Sequence, residues 1–465
     1  MLNLKKLIPH RTVHFVGIGG SGMSALAVIL LERGYKVSGS DIRASTITRR
    51  LEHKGAKVWL GHKAENLSKR PDVVIYSSCI RSDNIELILA RKNKIALLKR
   101  GQLLAYLMRE KKSIAIAGAH GKTTTTALIA LLLKNAGLAP SFAVGADVTE
   151  LAGNAQAGAG EYFVAEADES DASFLYLTPD YGIITNIDRE HLDYYGNLRQ
   201  IIKAYAKFIK NINEKGFLLC GGEDRNIKKA LAGYRGKLLT YGLDRKLDIC
   251  ASGISCREMS TAYKCYFKGK FLGKFHLRVP GTHNVINSLA CVGMGLVLEI
   301  PLKVIKKTLA AFSGANRRFQ IKNKKGPIIV IDDYAHHPTE IMATLAAAKA
   351  WKGRRLVSVF QPHRYSRTKF LKKEFGSCFA LTDHLVITDI YAASEVPIKG
   401  IEAKTIYDQV KKCGHKDVHL LPRDKINEHI INNVKAGDLL MVLGAGDISN
   451  LSEELIGRLA SRKFL

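Results

Sequence analysis

The sequence predicts an α/β protein built from three units, each a largely parallel sheet covered by helices. Three observations predict it. Apolar runs of strand length alternate with helical stretches over almost the whole chain. Two glycine turns, Gly17-Ile18-Gly19-Gly20-Ser21-Gly22 and Gly118-Ala119-His120-Gly121-Lys122-Thr123, each separate such a strand from such a helix. The length, 465 residues, suits about three domains.

The first unit alternates from its start. Strands are expected at Val13 to Val16, Lys36 to Gly39, Lys57 to Leu60, Val73 to Tyr76 and Ile95 to Leu97, with a helix from Ser21 to Arg33. The first turn has the G-x-G-x-x-G spacing, and Asp41 follows at the end of the second strand. This is the dinucleotide-binding fingerprint in its proper context: the glycines admit a pyrophosphate and the acid bonds a ribose hydroxyl. The physics specifies a diphosphate and a ribose, which NAD and a nucleoside-diphosphate sugar satisfy equally.

A second unit begins near residue 109. The strand Ile114 to Ala117 runs into Gly118-Ala119-His120-Gly121, then Lys122, Thr123, Thr124 and a long apolar helix. A helix N-terminus carries unpaired N–H groups and the positive end of the dipole, so it attracts phosphate. The full P-loop pattern would need glycine at position 116, where Ile116 stands; the turn is a shortened form that keeps the lysine for β/γ-phosphates and the hydroxyl for Mg²⁺. Further strands are expected at Ala143 to Val144, Tyr162 to Ala165, Gly182 to Thr185 and Phe217 to Cys220. Short alternating runs between Asp248 and Arg278 suggest an antiparallel meander. Helices follow from about Thr282, a candidate N-cap, and from Leu302 to Phe312.

A third unit starts near Asn316. Ile328 to Ile331, Leu356 to Phe360, His384 to Ile387 and Leu439 to Leu443 are apolar runs alternating with helical segments, as expected for another mostly parallel sheet.

Composition excludes several classes. With 46% hydrophobic and 24% charged residues, the chain is globular, and no apolar run reaches the ~18 residues of a membrane span. The N-terminal MLNLKKLIPHRTVHFVGIGG lacks a signal-peptide pattern, so a cytoplasmic location is expected. Eight scattered cysteines without a C-x-x-C pair read as reduced structural thiols. The net charge of +29 favours anionic partners. Its lysines are dispersed, however, and the short clusters (Lys322, Lys324, Lys325; Lys372, Lys373; Lys411, Lys412) read as solvated faces. No basic stripe is interleaved with aromatics, which argues against a nucleic-acid role.

Candidate chemistry gathers where strands end. Glu166-Ala167-Asp168-Glu169-Ser170-Asp171 places four acids in six residues; beside a phosphate loop, such carboxylates suit Mg²⁺. The stretch Thr185 to Asp193 contains His191, a possible second metal ligand. His283 and Asn287 share a helix face, where an amide could read an adenine edge. Arg317-Arg318 opens the third unit, Asp332-Asp333-Tyr334-Ala335-His336-His337 ends its first long strand, and Gln361-Pro362-His363-Arg364-Tyr365-Ser366-Arg367 ends the next. Paired arginines and a tyrosine-histidine loop suit an amino-acid carboxylate.

Together, GIGGSGMSALA, GAHGKTTTTALIA, EADESDASFL, TNIDREHLDYYG, PGTHNVINSLA, DDYAHHPTE and FQPHRYSRT resemble the ATP-dependent Mur ligases of peptidoglycan synthesis. GDLLMVLGAGDI near the C-terminus resembles them too. The resemblance implies a Rossmann-like UDP-sugar domain at 1–108, a central P-loop-type ATPase domain with a small antiparallel part at 109–315, and a Rossmann-like amino-acid domain at 316–465. It implies addition of L-alanine to UDP-N-acetylmuramate with ATP and Mg²⁺, through an acyl phosphate. Gly19, Gly20, Ser21, Gly22, Met23, Asp41 and Ser77 would hold the UDP-sugar. Gly118, Ala119, His120, Gly121, Lys122, Thr123, Thr124, His283, Asn287, Arg317 and Asp332 would hold ATP. Thr123, Glu166 and His191 would hold the metal, and Tyr334, His336, Arg364 and Arg367 the amino acid. Lys122, His191 and Arg317 would be catalytic. The expected partners are UDP-N-acetylmuramate, L-alanine and ATP, without nucleic acid or membrane, in a monomer or weak homodimer. Two positions depart from the pattern: Ala119 stands where the family usually has threonine, and Ala206 stands near the position where related ligases carry a carbamoylated lysine. An oxidoreductase reading of the first turn would leave the second phosphate loop and the acidic loop unused.

Overall fold

The structure, a computed structural model, describes residues 8–324 and 326–460; Lys325 and the two chain ends lie outside the described residues. Three sheets follow one another along the chain. The first contains β1 (Thr12–Val16), β2 (Lys36–Asp41), β3 (Lys57–Leu60), β4 (Val73–Tyr76) and β5 (Ala96–Lys99). Its order, β3-β2-β1-β4-β5, is wholly parallel, as right-handed strand-helix-strand crossovers produce.

The central sheet has ten strands: β6 (Lys112–Ala117), β7 (Ser141–Val148), β8 (Gly153–Gln156), β9 (Tyr162–Glu166), β10 (Tyr181–Ile184), β11 (Phe217–Gly221), β12 (Lys237–Gly242), β13 (Ile249–Arg257), β14 (Ser260–Phe267) and β15 (Lys270–Leu277). The order β15-β14-β13-β12-β11-β10-β6-β9-β7-β8 puts β6 inside, between β10 and β9. Burial on both faces explains the unbroken apolar reading of β6. Its following helix, Lys122–Asn135, is buried from Thr123 to Leu133, because the sheet covers one side and the helix Thr282–Val297 another. The meander β13-β14-β15 is antiparallel and buries Tyr263, Cys265, Phe275 and Leu277.

The third sheet contains β16 (Gln320–Asn323), β17 (Ile329–Asp333), β18 (Leu356–Phe360), β19 (His384–Ile387), β20 (Val418–Leu420) and β21 (Leu439–Leu443), in the order β16-β17-β21-β18-β19-β20. All pairs are parallel except β16–β17.

Four strands escaped the sequence reading. β8 (GNAQ) and β16 (QIKN) are polar edge strands whose pairing comes from their neighbours. β12 begins with exposed Lys237 and Leu238, and β20 has three residues. The helix start at Thr282 also differs from expectation: Gly281, at φ +96°, is the N-cap, and Thr282 is already helical. All eight cysteines are free thiols. Among the described residues, no helix is long and apolar enough to cross a membrane.

Candidate active site

The phosphate turn is shaped by two glycines in backbone conformations that side chains rarely adopt, Gly118 at φ +139° and Gly121 at φ +82°. A Cβ on Gly118 would lie 1.9 Å from Thr185 Oγ1, and one on Gly121 would lie 2.4 Å from Asn287 Oδ1. The end of β10 ties the loop down. Asn186 Oδ1 accepts from the His120 amide at 2.9 Å, and Thr185 Oγ1 donates to the His120 carbonyl at 2.6 Å.

Lys122 folds back over this turn. Its Nζ donates to the Gly118 carbonyl, to the Ala119 carbonyl at 3.2 Å and to Glu169 Oε1 at 2.8 Å. Burial would lower the Lys122 pKa, but Glu169 outweighs it and the value is raised. The ammonium is therefore charged and held in a carbonyl-lined turn that phosphate oxygens would satisfy instead.

The acidic loop behaves as an electrostatic frame. Burial pushes the Glu166 carboxyl up, against opposing hydrogen bonds from the Gly145 amide (2.5 Å) and Thr123. Burial would also raise Asp168, yet Arg100, whose Nη2 lies 2.7 Å from its carboxylate, and the bonds from Ser170 hold it well below the usual range. Arg100 starts the helix after β5, so this pair clamps the first unit to the second. His191 Nε2 is 3.4 Å from Glu169 Oε1. Burial lowers the His191 pKa, but Glu169 and Glu190 together raise it.

These donors pass a test for Mg²⁺. Thr123, Glu166 and His191 all line one cavity of about 550 Å³. Beside it, the Glu169 and Glu190 Oε2 atoms are buried without a hydrogen-bond partner among the described residues. Carboxylate oxygens buried without a hydrogen-bond donor are what a hard cation relieves.

The same cavity reaches the third unit, where Tyr334, His336, Arg364 and Arg367 form the opposite wall. Arg367 pairs with Glu190 through Nη2 and donates to the His363 carbonyl at 3.0 Å. Burial would raise Glu190, but Arg367 and His337 hold it well below the usual range. Arg364 Nη1 lies 3.4 Å from Asp193. His336 donates through Nδ1 to the Tyr334 carbonyl at 2.8 Å; burial and Arg367 push its pKa down to about 3, so it is neutral.

An adjoining cavity of about 390 Å³ is lined by His120, Gly121, Thr123, Thr124, His283 and Asn287, and across the gap by Arg318, Asp333 and Glu340. Burial and Arg318 lower His283 to about 4, leaving a neutral ring beside the helix amides. A third cavity, about 320 Å³, is lined by Gly20, Ser21, Gly22, Met23 and Ser77, and shares Lys122 and Glu166 with the 550 Å³ one.

Four of the residues read from the sequence, Gly19, Asp41, Gly118 and Asp332, stand one layer back from the three cavities. Asp41 Oδ2 accepts from the Gly19 amide at 2.9 Å, which supports the glycine turn from behind the cavity. Asp332 is buried beneath Arg317, 3.3 Å from its Nε; its neighbour Asp333 is the one that lines a cavity. Arg317 itself faces the 550 Å³ cavity and is held by the Gly444 carbonyl (2.6 Å) and the Gly446 carbonyl (3.3 Å). Gly118 supports the loop without lining a cavity. Ala206 packs partly buried on the helix Leu198–Lys210.

The sequence reading assigned no individual role to Arg100, Asp188, Glu190 or Glu340, which join the units, nor to Arg318. His120 lies between two of them, 3.0 Å from Asp188 and 3.4 Å from Glu340. Burial would lower its pKa, but the two carboxylates raise it to about 9. Arg318 stacks over Tyr334 at 5.1 Å and meets Glu340 at 3.6 Å. Local pattern did not pair these groups: Lys122 and Glu169 are 47 residues apart in the chain, and Glu190 and Arg367 are 177 apart.

Three α/β units, a phosphate turn on the middle one and substrate-sized cavities at their junction define the ligase class of multi-domain ATP-dependent enzymes. Family models agree along the chain: Mur ligase family, catalytic domain, over residues 12–112; Mur ligase middle domain over 116–295; and Mur ligase, glutamate ligase domain over 317–446. The UDP-N-acetylmuramate–L-alanine ligase of Trichlorobacter lovleyi is 46% identical over 450 residues, covering 96% of this chain and 98% of its own. That of Pelotomaculum thermopropionicum is 46% identical over 451 residues, covering 97% and 98%. The solved UDP-N-acetylmuramate-alanine ligase of Thermotoga maritima superposes with a TM-score of 0.83 at 32% identity, over 97% of this chain and all of that one. The chain belongs to the Mur ligase family.

Proposed function

We propose that this enzyme joins L-alanine to the carboxylate of UDP-N-acetylmuramate at the expense of ATP, the first amino-acid addition in peptidoglycan precursor synthesis, in the cytoplasm. The single observation that carries the reading is the shared wall. Lys122 and Glu166 face both the cavity beside the glycine turn of the first unit and the cavity walled by Tyr334, His336, Arg364 and Arg367 of the third. A sugar-nucleotide carboxylate, the ATP γ-phosphate and an amine can thus meet at one lysine. The curated relatives, 46% identical over nearly their full length, support the same activity.

The division of labour follows the sheets: residues 1–108 take the UDP-sugar, 109–315 take ATP, and 316–465 take the amino acid. Gly20, Ser21, Gly22 and Met23, at the start of a helix, meet the diphosphate through backbone N–H groups. His283 and Asn287 meet the adenine end, and Thr123 and Thr124 the phosphates.

A carboxylate is a poor electrophile, so it must first gain a leaving group. Its oxygen attacks the γ-phosphorus, the bond to the β-bridging oxygen breaks, and ADP departs from the acyl phosphate. Catalysis of such a transfer is positioning plus electrostatics. Lys122 exchanges the Gly118 and Ala119 carbonyls for phosphate oxygens. Arg317, already fixed by Asp332 and Gly444, offers its guanidinium from the other side. Thr123, Glu166 and His191 would hold Mg²⁺, which would supply positive charge to offset that on the transferring group. Arg364 and Arg367 orient the alanine carboxylate, and the free amine attacks the acyl carbon. The tetrahedral intermediate then gives up a proton from its nitrogen, collapses to the amide and expels phosphate, which carries that proton away as hydrogen phosphate.

Phosphate release by the purified enzyme should require UDP-N-acetylmuramate, ATP and an amino acid together. An amino-acid panel read by mass should give the alanine adduct as the main product. Release with no amino acid sinks the ligase reading. A preference for a free tripeptide over alanine reassigns the enzyme to peptide recycling.

A further inference from the structure

A second group of ligand-type side chains lies far from this chemistry. His384 is the first residue of β19, His419 lies in β20, and His429 lies on the helix Ile426–Asn433. One ring nitrogen of each lies within 4.8 Å of one ring nitrogen of the other two. His384 pairs in register with Val357, near the start of β18, whereas Gln361 and Arg364 follow the end of that strand. His384 therefore lies at the end of the third sheet opposite those residues, and His419, in register with Val386, lies on its β20 edge.

The geometry points to a transition-metal site, and we propose that His384, His419 and His429 bind a dication of the Zn²⁺ or Co²⁺ type. His384 Nε2 and His429 Nε2 face each other at 3.1 Å; two imidazole nitrogens held tetrahedrally at ~2.0–2.1 Å from one ion lie roughly 3.3 Å apart. Asp417 takes the far side of two rings, meeting His384 Nδ1 at 2.8 Å and His419 Nε2 at 2.7 Å. That is the carboxylate support that orients metal-binding histidines. It leaves His384 Nε2 and His419 Nδ1 as the ligating atoms. His384 is nearly buried, while the His419 side chain is 40% exposed, so an ion has an entry path and a solvent-side fourth position. Three imidazoles select Zn²⁺, Co²⁺ or Ni²⁺ over Mg²⁺, which prefers oxygen donors. The site is therefore chemically separate from the Mg²⁺ of catalysis. The ion would pin two strands and a helix together, and so stabilise the third unit by an amount that rises with the logarithm of the free-ion concentration above its Kd.

Metal-stripped, full-length enzyme titrated with ZnCl₂ in excess Mg²⁺ tests this. Wild type should take up one equivalent more than His419→Gln/His429→Gln, and Asp417→Asn should weaken that equivalent by about 10- to 100-fold. The double variant should keep its ligase activity. Equal zinc uptake by wild type and double variant overturns the proposal. A second measurement needs no variant: Zn²⁺ should shield His419 and His429 of the wild type from diethyl pyrocarbonate, read by mass. Equal labelling with and without Zn²⁺ means that the three rings form a hydrogen-bonded relay with Asp417 and nothing more.

Discussion

Removing Lys122 separates the buried pairing with Glu169 that the structure shows from the phosphoryl-transfer role proposed above. Its Nζ lies 2.8 Å from Glu169, and the two side chains are 16% and 3% exposed. Breaking such a pair from one side leaves a buried charge and destabilises by about 3–5 kcal/mol. His191, 3.4 Å from the same oxygen, remains to share that charge, so Lys122→Ala should fall near the lower end, about 3 kcal/mol. Catalysis loses more. Deleting one preorganised group that faces developing charge lowers kcat by about 10²–10³, while UDP-sugar binding stays largely intact. The informative variant is Lys122→Ala/Glu169→Gln. Neutralising the acid removes the stranded charge, so the urea midpoint should return most of the way to wild type while phosphate release stays suppressed. Colorimetric phosphate release and urea unfolding, run on all four members of the cycle, read both quantities. If the double variant regains phosphate release, Lys122 only neutralises Glu169 and the phosphoryl-transfer role is wrong. If Lys122→Ala is as stable as wild type, the buried-pair reasoning is wrong.

Other perturbations have equally definite outcomes. Gly118→Ala puts a methyl 1.9 Å from Thr185 Oγ1 at φ +139°. It should destabilise by about 2–4 kcal/mol and raise the KM for ATP, and the added Thr185→Ala should relieve only part of this, because the backbone strain remains. Arg367→Lys keeps the charge opposite Glu190 but loses the planar fork. The urea midpoint should change little while the KM for alanine rises, and an unchanged KM would remove Arg367 from the amino-acid site. His120, raised to about 9 between Asp188 and Glu340, has a folded pKa above its unfolded value of about 6.5. Its contribution, on the order of 3 kcal/mol, is complete below about pH 6.5 and lost as pH rises through about 9. His120→Gln should flatten that stretch of the stability–pH profile, and an unchanged slope would show that His120 does not titrate there.

The sequence alone determined the class of fold and the places where chemistry is concentrated. Local signals suffice for both. A strand buried on both faces must be apolar throughout, as β6 is, and a backbone that turns sharply against a phosphate must be glycine at Gly118 and Gly121. Glycine spacing, strand-end acids and the two loops around Tyr334 and Arg364 are therefore visible without a structure. Tertiary structure decided which charges face one another. Lys122 meets Glu169 across 47 residues, Arg100 meets Asp168 across 68, and Arg367 meets Glu190 across 177. No period or motif couples positions so far apart. It also chose between neighbours: Asp333 lines a cavity, while Asp332 turns the other way to hold Arg317, because successive residues of a strand point to opposite faces. The polar edge strand β16 was hidden for a related reason, since its hydrogen bonds come from β17 and its own side chains carry no burial signal. The histidine triad was equally silent, with one ring from each of three elements and no common spacing. A sequence records what each residue needs locally; which distant group supplies it is settled only when the chain folds.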